Sequence, residues 1–247
     1  MTGRRTRSGF TLIELVLVMI ITGILATVAI RTAVSIGDTA RVEQTKAELL
    51  QLEHAITGNP ALHNNGVRSD FGYVGDVGAM PPNLDALAID PGDPNWNGPY
   101  IRSQVAQATD DYKRDAWNHP YTYNGLEIIS TGSGSDIVRK LGAAVDEFTL
   151  NTVSGLILDS LGFTPGTDYA DSVSIVVRHP NGSGGTTTRT ANPDPGGLFR
   201  LDSVPIGNHD LLVVYLPAAD TLRRFVNVLP GSSIYVKHTL NRSFVGP

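Results

Sequence analysis

The feature that most constrains this chain is the apolar run from Phe10 to Ile30. About 20 predominantly apolar residues suffice to cross a bilayer as a helix. Arg4, Arg5 and Arg7 precede the run and no acid lies among residues 1–9. Basic flanks mark the cytoplasmic side of a span, so the rest of the chain is expected to face the other way. A secretory signal would have a shorter apolar core followed by a small-residue exit. Here there is no Ala-x-Ala exit, and Gly9 instead sits between the basic stretch and the apolar helix. Glu14 lies inside the run. A carboxylate near the centre of a membrane costs roughly 2.5–3.5 kcal/mol on insertion scales. Near the end of the span the cost is lower, but the group still wants a partner; the alternative is that Glu14 snorkels to the headgroups.

Gly9-Phe10-Thr11-Leu12-Ile13-Glu14 resembles the class III signal of type IV pilins and type II secretion pseudopilins. The resemblance implies that a prepilin peptidase cuts after Gly9 and that Phe10 becomes an N-methylated first residue. It also implies that Glu14 pairs with the N-terminal ammonium of a neighbouring subunit. Two opposite charges 4 Å apart attract by ~4 kcal/mol at an effective dielectric of about 20. Each is costly to desolvate without the other. Gly23 permits close helix packing, and in the resembled family a glycine here helps the helix loosen on assembly. Many relatives carry a proline where this chain has Arg31.

From Arg31 the pattern becomes amphipathic, with Val42, Leu49, Leu52 and Ile56 at helical spacing. Glu43 and Lys46 are three apart and can pair, and Gly58-Asn59-Pro60 ends the pattern. The expectation is one helix over residues 10–58, following a leader over 1–9. Its first part is membrane or filament core and its second packs under a globular unit.

Residues 59–150 are turn-rich. Met80 to Leu87 predicts a short proline-led helix, and Ile101 to Ala108 is irregular or briefly helical. Asn124-Gly125 between Tyr121-Thr122-Tyr123 and Leu126-Glu127-Ile128-Ile129 signals a hairpin. Asp115-Ala116-Trp117-Asn118-His119-Pro120-Tyr121 resembles a stretch of major pseudopilins that precedes a small antiparallel sheet. With Gly98-Pro99-Tyr100-Ile101, it extends the resemblance over about residues 9–136. Relatives of that kind hold calcium in a loop after the hairpin. The corresponding Ser130-Thr131-Gly132-Ser133-Gly134-Ser135-Asp136 has one acid, with Asp110 and Asp111 elsewhere. Calcium takes six to eight oxygens, usually several from carboxylates, so a glycine-serine turn is the favoured reading and calcium the alternative.

Residues 151–247 carry short β-prone runs: Val153–Asp159, Ser172–Arg178, Gly197–Leu201, Asp210–Tyr215, Arg224–Val228 and Ile234–His238. With their Gly, Pro and Asn turns they predict an antiparallel sandwich of about seven strands. Gly155–Asp159, Gly197–Leu201 and Val204-Pro205-Ile206-Gly207 resemble the carboxypeptidase-regulatory-like domain, a transthyretin-like sandwich. That implies a fold, not peptidase activity. The fold class is therefore α+β: a long helix on a small sheet, then an all-β sandwich, with a link expected near 137–152 and the sandwich projecting outward.

The formal net charge is −5, and removing the three arginines of residues 1–9 from it leaves −8. An acidic body gives no electrostatic case for nucleic acid. There is no cysteine, hence no disulfide or thiolate site. The six histidines (54, 63, 119, 179, 209 and 238) show no metal spacing and are read as surface or packing residues. Gly132–Gly134 and Gly182–Gly185 do not open a helix after a strand, as phosphate loops do. Asp90 and Asp93 around Pro91-Gly92 read as turn chemistry. No Ser lies in a Gly-x-Ser-x-Gly elbow. No enzyme and no cofactor are expected. The resemblance implies a structural subunit of a secretion pseudopilus or pilus-like filament, single-pass in the inner membrane, with its C-terminal part periplasmic or extracellular. Its partners would be copies of itself, other pilins or pseudopilins, the peptidase and an inner-membrane assembly platform. The alternative is a minor pilin whose sandwich is an adhesin or binding module.

Overall fold

A computed structural model of the chain describes residues 11–101, 111–218 and 220–244. The expected stretch Ile101–Ala108 therefore falls mostly outside the described residues. Helix α1, Leu12–Thr57, is a single element of 46 residues. Gly58 stops it at φ +84°, where a Cβ would collide with the backbone of Asp70 and Phe71. From Thr45 onward one face is buried, through Thr45, Leu49, Leu52 and Ile56. Glu43 and Lys46 pair at 2.8 Å on the solvent side.

The base that buries this face is assembled from short pieces. A two-residue hairpin, β1 (His63–Asn64) with β2 (Val67–Arg68), leads to α2 (Gly72–Val77). A 3₁₀ turn follows at Leu84–Leu87, capped by the Asn83 side chain accepting from the Ala86 N–H at 3.2 Å. The short helix expected at Met80–Leu87 is thus later and tighter than the prolines suggested. β3 (Thr122–Tyr123), β4 (Glu127–Ser130) and β5 (Ile137–Lys140) form an antiparallel sheet. Asn124-Gly125 makes the expected turn, with Thr122 opposite Ile129 and Gly125 at φ +96°. Ile137–Lys140, expected to be link, is a sheet strand instead, and its Arg139 pairs with Glu53 of α1. Helix α3 (Asp146–Thr149) follows and buries Phe148 in the base.

Among the described residues, seven strands make the sandwich. One sheet runs β11–β10–β7–β8 (Asp220–Val228, Gly207–Tyr215, Val173–Pro180, Thr186–Ala191) and the other β12–β6–β9 (Ser233–Thr239, Asn151–Leu158, Leu198–Val204). Helix α4 (Gly166–Tyr169) caps the loop after β6. Strict alternation buries Val153 and Ile157, then Val173, Ile175 and Val177, then Leu211 and Val213, as a strand period of two demands. One expectation is corrected. The sandwich is not wholly antiparallel, because β12 pairs parallel to β6 from Ser233↔Thr152 to Thr239↔Leu158. Strand β8, Thr-Thr-Thr-Arg-Thr-Ala, was not legible: it is an edge strand with mostly exposed polar residues and no apolar alternation.

The two bodies interlock. Ile206, in the turn between β9 and β10, is fully buried and belongs to the base core with Leu52, Val74 and Phe148. Its N–H donates to the Phe148 carbonyl at 2.8 Å. The Gly182 N–H donates to Val77 O, Asn227 Nδ2 to Arg68 O, and Asn95 Nδ2 to Gly185 O. Gly78 at φ +83° lets this approach happen, since a Cβ there would lie 2.5 Å from Pro180 O.

Candidate processing and assembly segment

Gly9 and Phe10 lie outside the described residues; Glu14 is described, in the first turn of α1. The Glu14 carboxylate accepts from the Thr11 N–H and from Thr11 Oγ1, both at 3.3 Å. It thereby satisfies an end donor that the helix itself cannot. A negative charge here also complements the positive end of the helix dipole. Within the single chain, then, Glu14 already holds the backbone one residue beyond Phe10, on the side where a new N-terminus would appear after cleavage.

The segment that follows is bare. Leu12, Ile13, Leu15 to Ile21, Ile24, Leu25, Val28 and Ile30 are all exposed, although they are the most apolar stretch of the chain. Leaving such a surface in water is unfavourable at about 25 cal/mol per Å². Either lipid or other helices must cover it, and the helix is long and apolar enough to cross a membrane. Its threonine hydroxyls are already satisfied internally: Thr22, Thr27 and Thr32 donate to the Val18, Gly23 and Val28 carbonyls. That suits a medium in which unpaired groups are expensive. Gly23 and Gly37 have open space where a Cβ would stand, so neither is required by a contact within the chain.

The Asp115–Tyr121 stretch seats the base on the helix. Tyr121 donates its hydroxyl to Glu48 at 2.7 Å, and the Ala116 N–H donates to Thr45 Oγ1. Asp115 is the organiser that sequence reasoning missed. Its carboxylate accepts from Ser130 Oγ and from the N–H groups of Trp117, His119 and Gly132. Burial pushes its pKa up, but these four bonds outweigh burial and hold it below the usual value. The signal was an acid placed before a Trp-Asn turn; its partners across the hairpin could not be read. The loop compared with a calcium site, Ser130–Asp136, is tied at one end by this carboxylate, while Asp136 is exposed. Asp110 lies outside the described residues. Among the described residues no cluster of three or more His, Asp or Glu has metal-binding geometry.

Residues 4–30 match the prokaryotic N-terminal methylation motif. The match spans the three arginines, Gly9, Phe10, Glu14 and the apolar run, and it supports a type IV pilin-like chain processed by a prepilin peptidase. No curated protein matches significantly. Among solved structures, a 9R-lipoxygenase from Cyanothece PCC8801 is 12% identical over 37% of this chain and 16% of that one, with a TM-score of 0.20. A score that low carries no argument about fold or activity.

Proposed function

We propose that this chain is a structural, non-catalytic subunit of a type II secretion pseudopilus or type IV pilus-like filament. The observation that carries the reading is the methylation motif over residues 4–30 heading a helix whose apolar half is wholly exposed. In this reading cleavage after Gly9 frees the Phe10 amine, which is then methylated. The helix inserts once through the inner membrane, and base and sandwich lie on the periplasmic or extracellular side. On assembly Glu14 exchanges its local bonds to Thr11 for the ammonium of a neighbouring subunit. No cofactor enters the scheme. Copies of itself, other pilins or pseudopilins, the peptidase and an assembly platform are its partners.

A second reading, a minor pilin with a binding sandwich, draws on the sandwich end farthest from the base. Loops there expose Leu161, Phe163 and Leu216, and exposed apolar groups gathered at one end often mark interaction sites.

N-terminal analysis of the mature protein tests the principal reading. It should find methylated Phe10, and Glu14→Ala should be processed yet fail to assemble. A mature chain that retains residues 1–9 would sink it.

A further inference from the structure

We propose that the free edge of β12 binds an extended, acidic segment of a partner protein, which adds a strand to the sandwich and sets a carboxylate against Arg224. Nothing in this surface involves the N-terminal helix, so it stands beside the filament reading rather than on it. β11 and β12 are the terminal strands of their sheets and are joined by residues 229–232 alone. Both open edges therefore lie on one side of the sandwich. Among the described strands, β12 is held by β6 only. In a parallel pair the bonding residues of each strand alternate. The Thr152 N–H donates to Ser232 O and the Leu240 N–H to Leu158 O, so the even-numbered residues of β12 are the ones bonded to β6. The N–H and C=O groups of Ser233, Tyr235, Lys237 and Thr239 point to the open side. Such a row of unpaired groups is a template for strand pairing, and adding a strand to an exposed edge is a recurring way of capturing an extended peptide.

The interior beside this edge is incomplete. Ile234, Val236 and His238 stand level with Val153, Gly155 and Ile157 of β6. The β6 residues are buried, but the three of β12 are only half-buried. On β11, Val226 and Val228 are buried, whereas Leu222 is half-buried and Arg224, on the same face by the strand period of two, is exposed. Arg224 and His238 lie near each other across the gap. Burial first, and then the Arg224 charge, lower the His238 pKa, so the ring is neutral, and its Nε2 is buried without a partner. Charge identifies the occupant. Residues 220–244 hold four Lys and Arg and one Asp, a net of +3 (4 − 1) in a chain of −5. Arg223 and Arg242 are taken by Asp210 and Asp220. Among the described residues Arg224 and Lys237 pair with no carboxylate, and Arg224 donates only to the Arg223 carbonyl at 3.4 Å. Two copies pairing edge to edge would set these cations against their own kind, and like charges directly opposite are destabilising. An acidic segment of another protein matches both the backbone row and the charge.

The experiment uses the full chain in detergent and a capped peptide of about nine residues, an ordinary strand length. The peptide alternates valine and threonine, with glutamate at the central valine position; the control carries lysine there. The glutamate peptide should bind about tenfold or more tightly than the lysine peptide, and it should protect the Tyr235 and Lys237 amides from hydrogen exchange. Arg224→Glu, a change at an exposed side chain, should reverse the preference. Lys237→Pro removes a donor from the free edge and none from the pairing with β6, a place where a sheet tolerates proline, and should abolish binding of both peptides. No binding of the glutamate peptide, equal binding of the two peptides, or an unchanged preference in Arg224→Glu overturns the proposal. Protection of the same two amides without peptide, in an associated form of the protein, gives the edge to a second copy and overturns it as well.

Discussion

The base and the sandwich each close a hydrophobic core, but they depend on one another unequally. Among the described residues, every buried residue of the sandwich core comes from residues 153–244, whereas the base core borrows Ile206 from the sandwich. The sandwich closes on itself because two sheets with period-two alternation supply both walls. The base has one helix face, a three-stranded sheet and short turns, and it needs a plug. Each body also has a buried carboxylate that ties its loops. Asp115 gathers Trp117, His119, Ser130 and Gly132, and Asp159 gathers Leu161, Phe163, Ser243 and Phe244. A body can therefore be locally well tied and still lean on its neighbour for packing.

Separating the two bodies should give the largest effect. A fragment of residues 151–247 should unfold cooperatively on its own. A chain ended at residue 150 should lose cooperative unfolding of the base, which protease resistance of the detergent-solubilised protein would show. Equal resistance of the shortened and full chains would break the asymmetry. The single-residue form of the same test is Ile206→Ala. It should destabilise the base by about 2–5 kcal/mol, the cost of a buried Ile or Leu truncation, and leave the sandwich transition in place by denaturant unfolding.

The junction should also respond to acid. His179 and His209 continue the buried stripes of β7 and β10 to the end that meets the base, their rings 5.9 Å apart. Burial first, and His179 nearby, lower the His209 pKa from 6.5 to about 4, despite the Pro205 carbonyl its Nε2 contacts at 2.8 Å. Between those values the unfolded chain binds the proton and the folded one does not. Stability is thus full above pH 6.5 and falls as the pH drops toward 4, by roughly 3 kcal/mol at the limit. His209→Phe should flatten this step in a pH series of unfolding midpoints; an unchanged step would place the acid sensitivity elsewhere.

The smallest expected effect concerns the loop ties. Asp159→Asn should cost about 1–3 kcal/mol, because N–H groups of the loop lose a charged acceptor. Asp159 is held below its ordinary value because the bonds from Phe163, Phe244, Leu161 and Ser243 outweigh burial. Its contribution is therefore present above pH 3.8 and lost as the pH falls through the lowered value. The loss should appear in the transition of the 151–247 fragment. If it appears in the base alone, the two bodies are not tied separately.

Much of the architecture was legible because it is local. The helix from Leu12 to Thr57, its stop at Gly58, the Asn124-Gly125 hairpin and six of the sandwich strands follow from periodicity and turn residues a few positions apart. Three things escaped. Strand β8 is polar and held by pairing to β7 rather than by its own pattern. Strand β5 looked like a link because its pairing with β4 crosses the Ser130–Asp136 loop. The parallel register of β12 on β6 joins residues some eighty positions apart, and no local pattern specifies that direction.

By itself the sequence determined the processing signal, the position of Glu14 and the exposed apolar half of the helix, because each rests on residue order and side-chain polarity within one continuous segment. Only the tertiary structure decided that Ile206 fills the base and that Asp115 and Asp159 are organisers. It also decided that the free edge of β12 lies on the same side of the sandwich as Arg224. Those facts depend on which distant groups meet, and contact across long loops is settled by packing the whole chain at once rather than by the composition of any stretch.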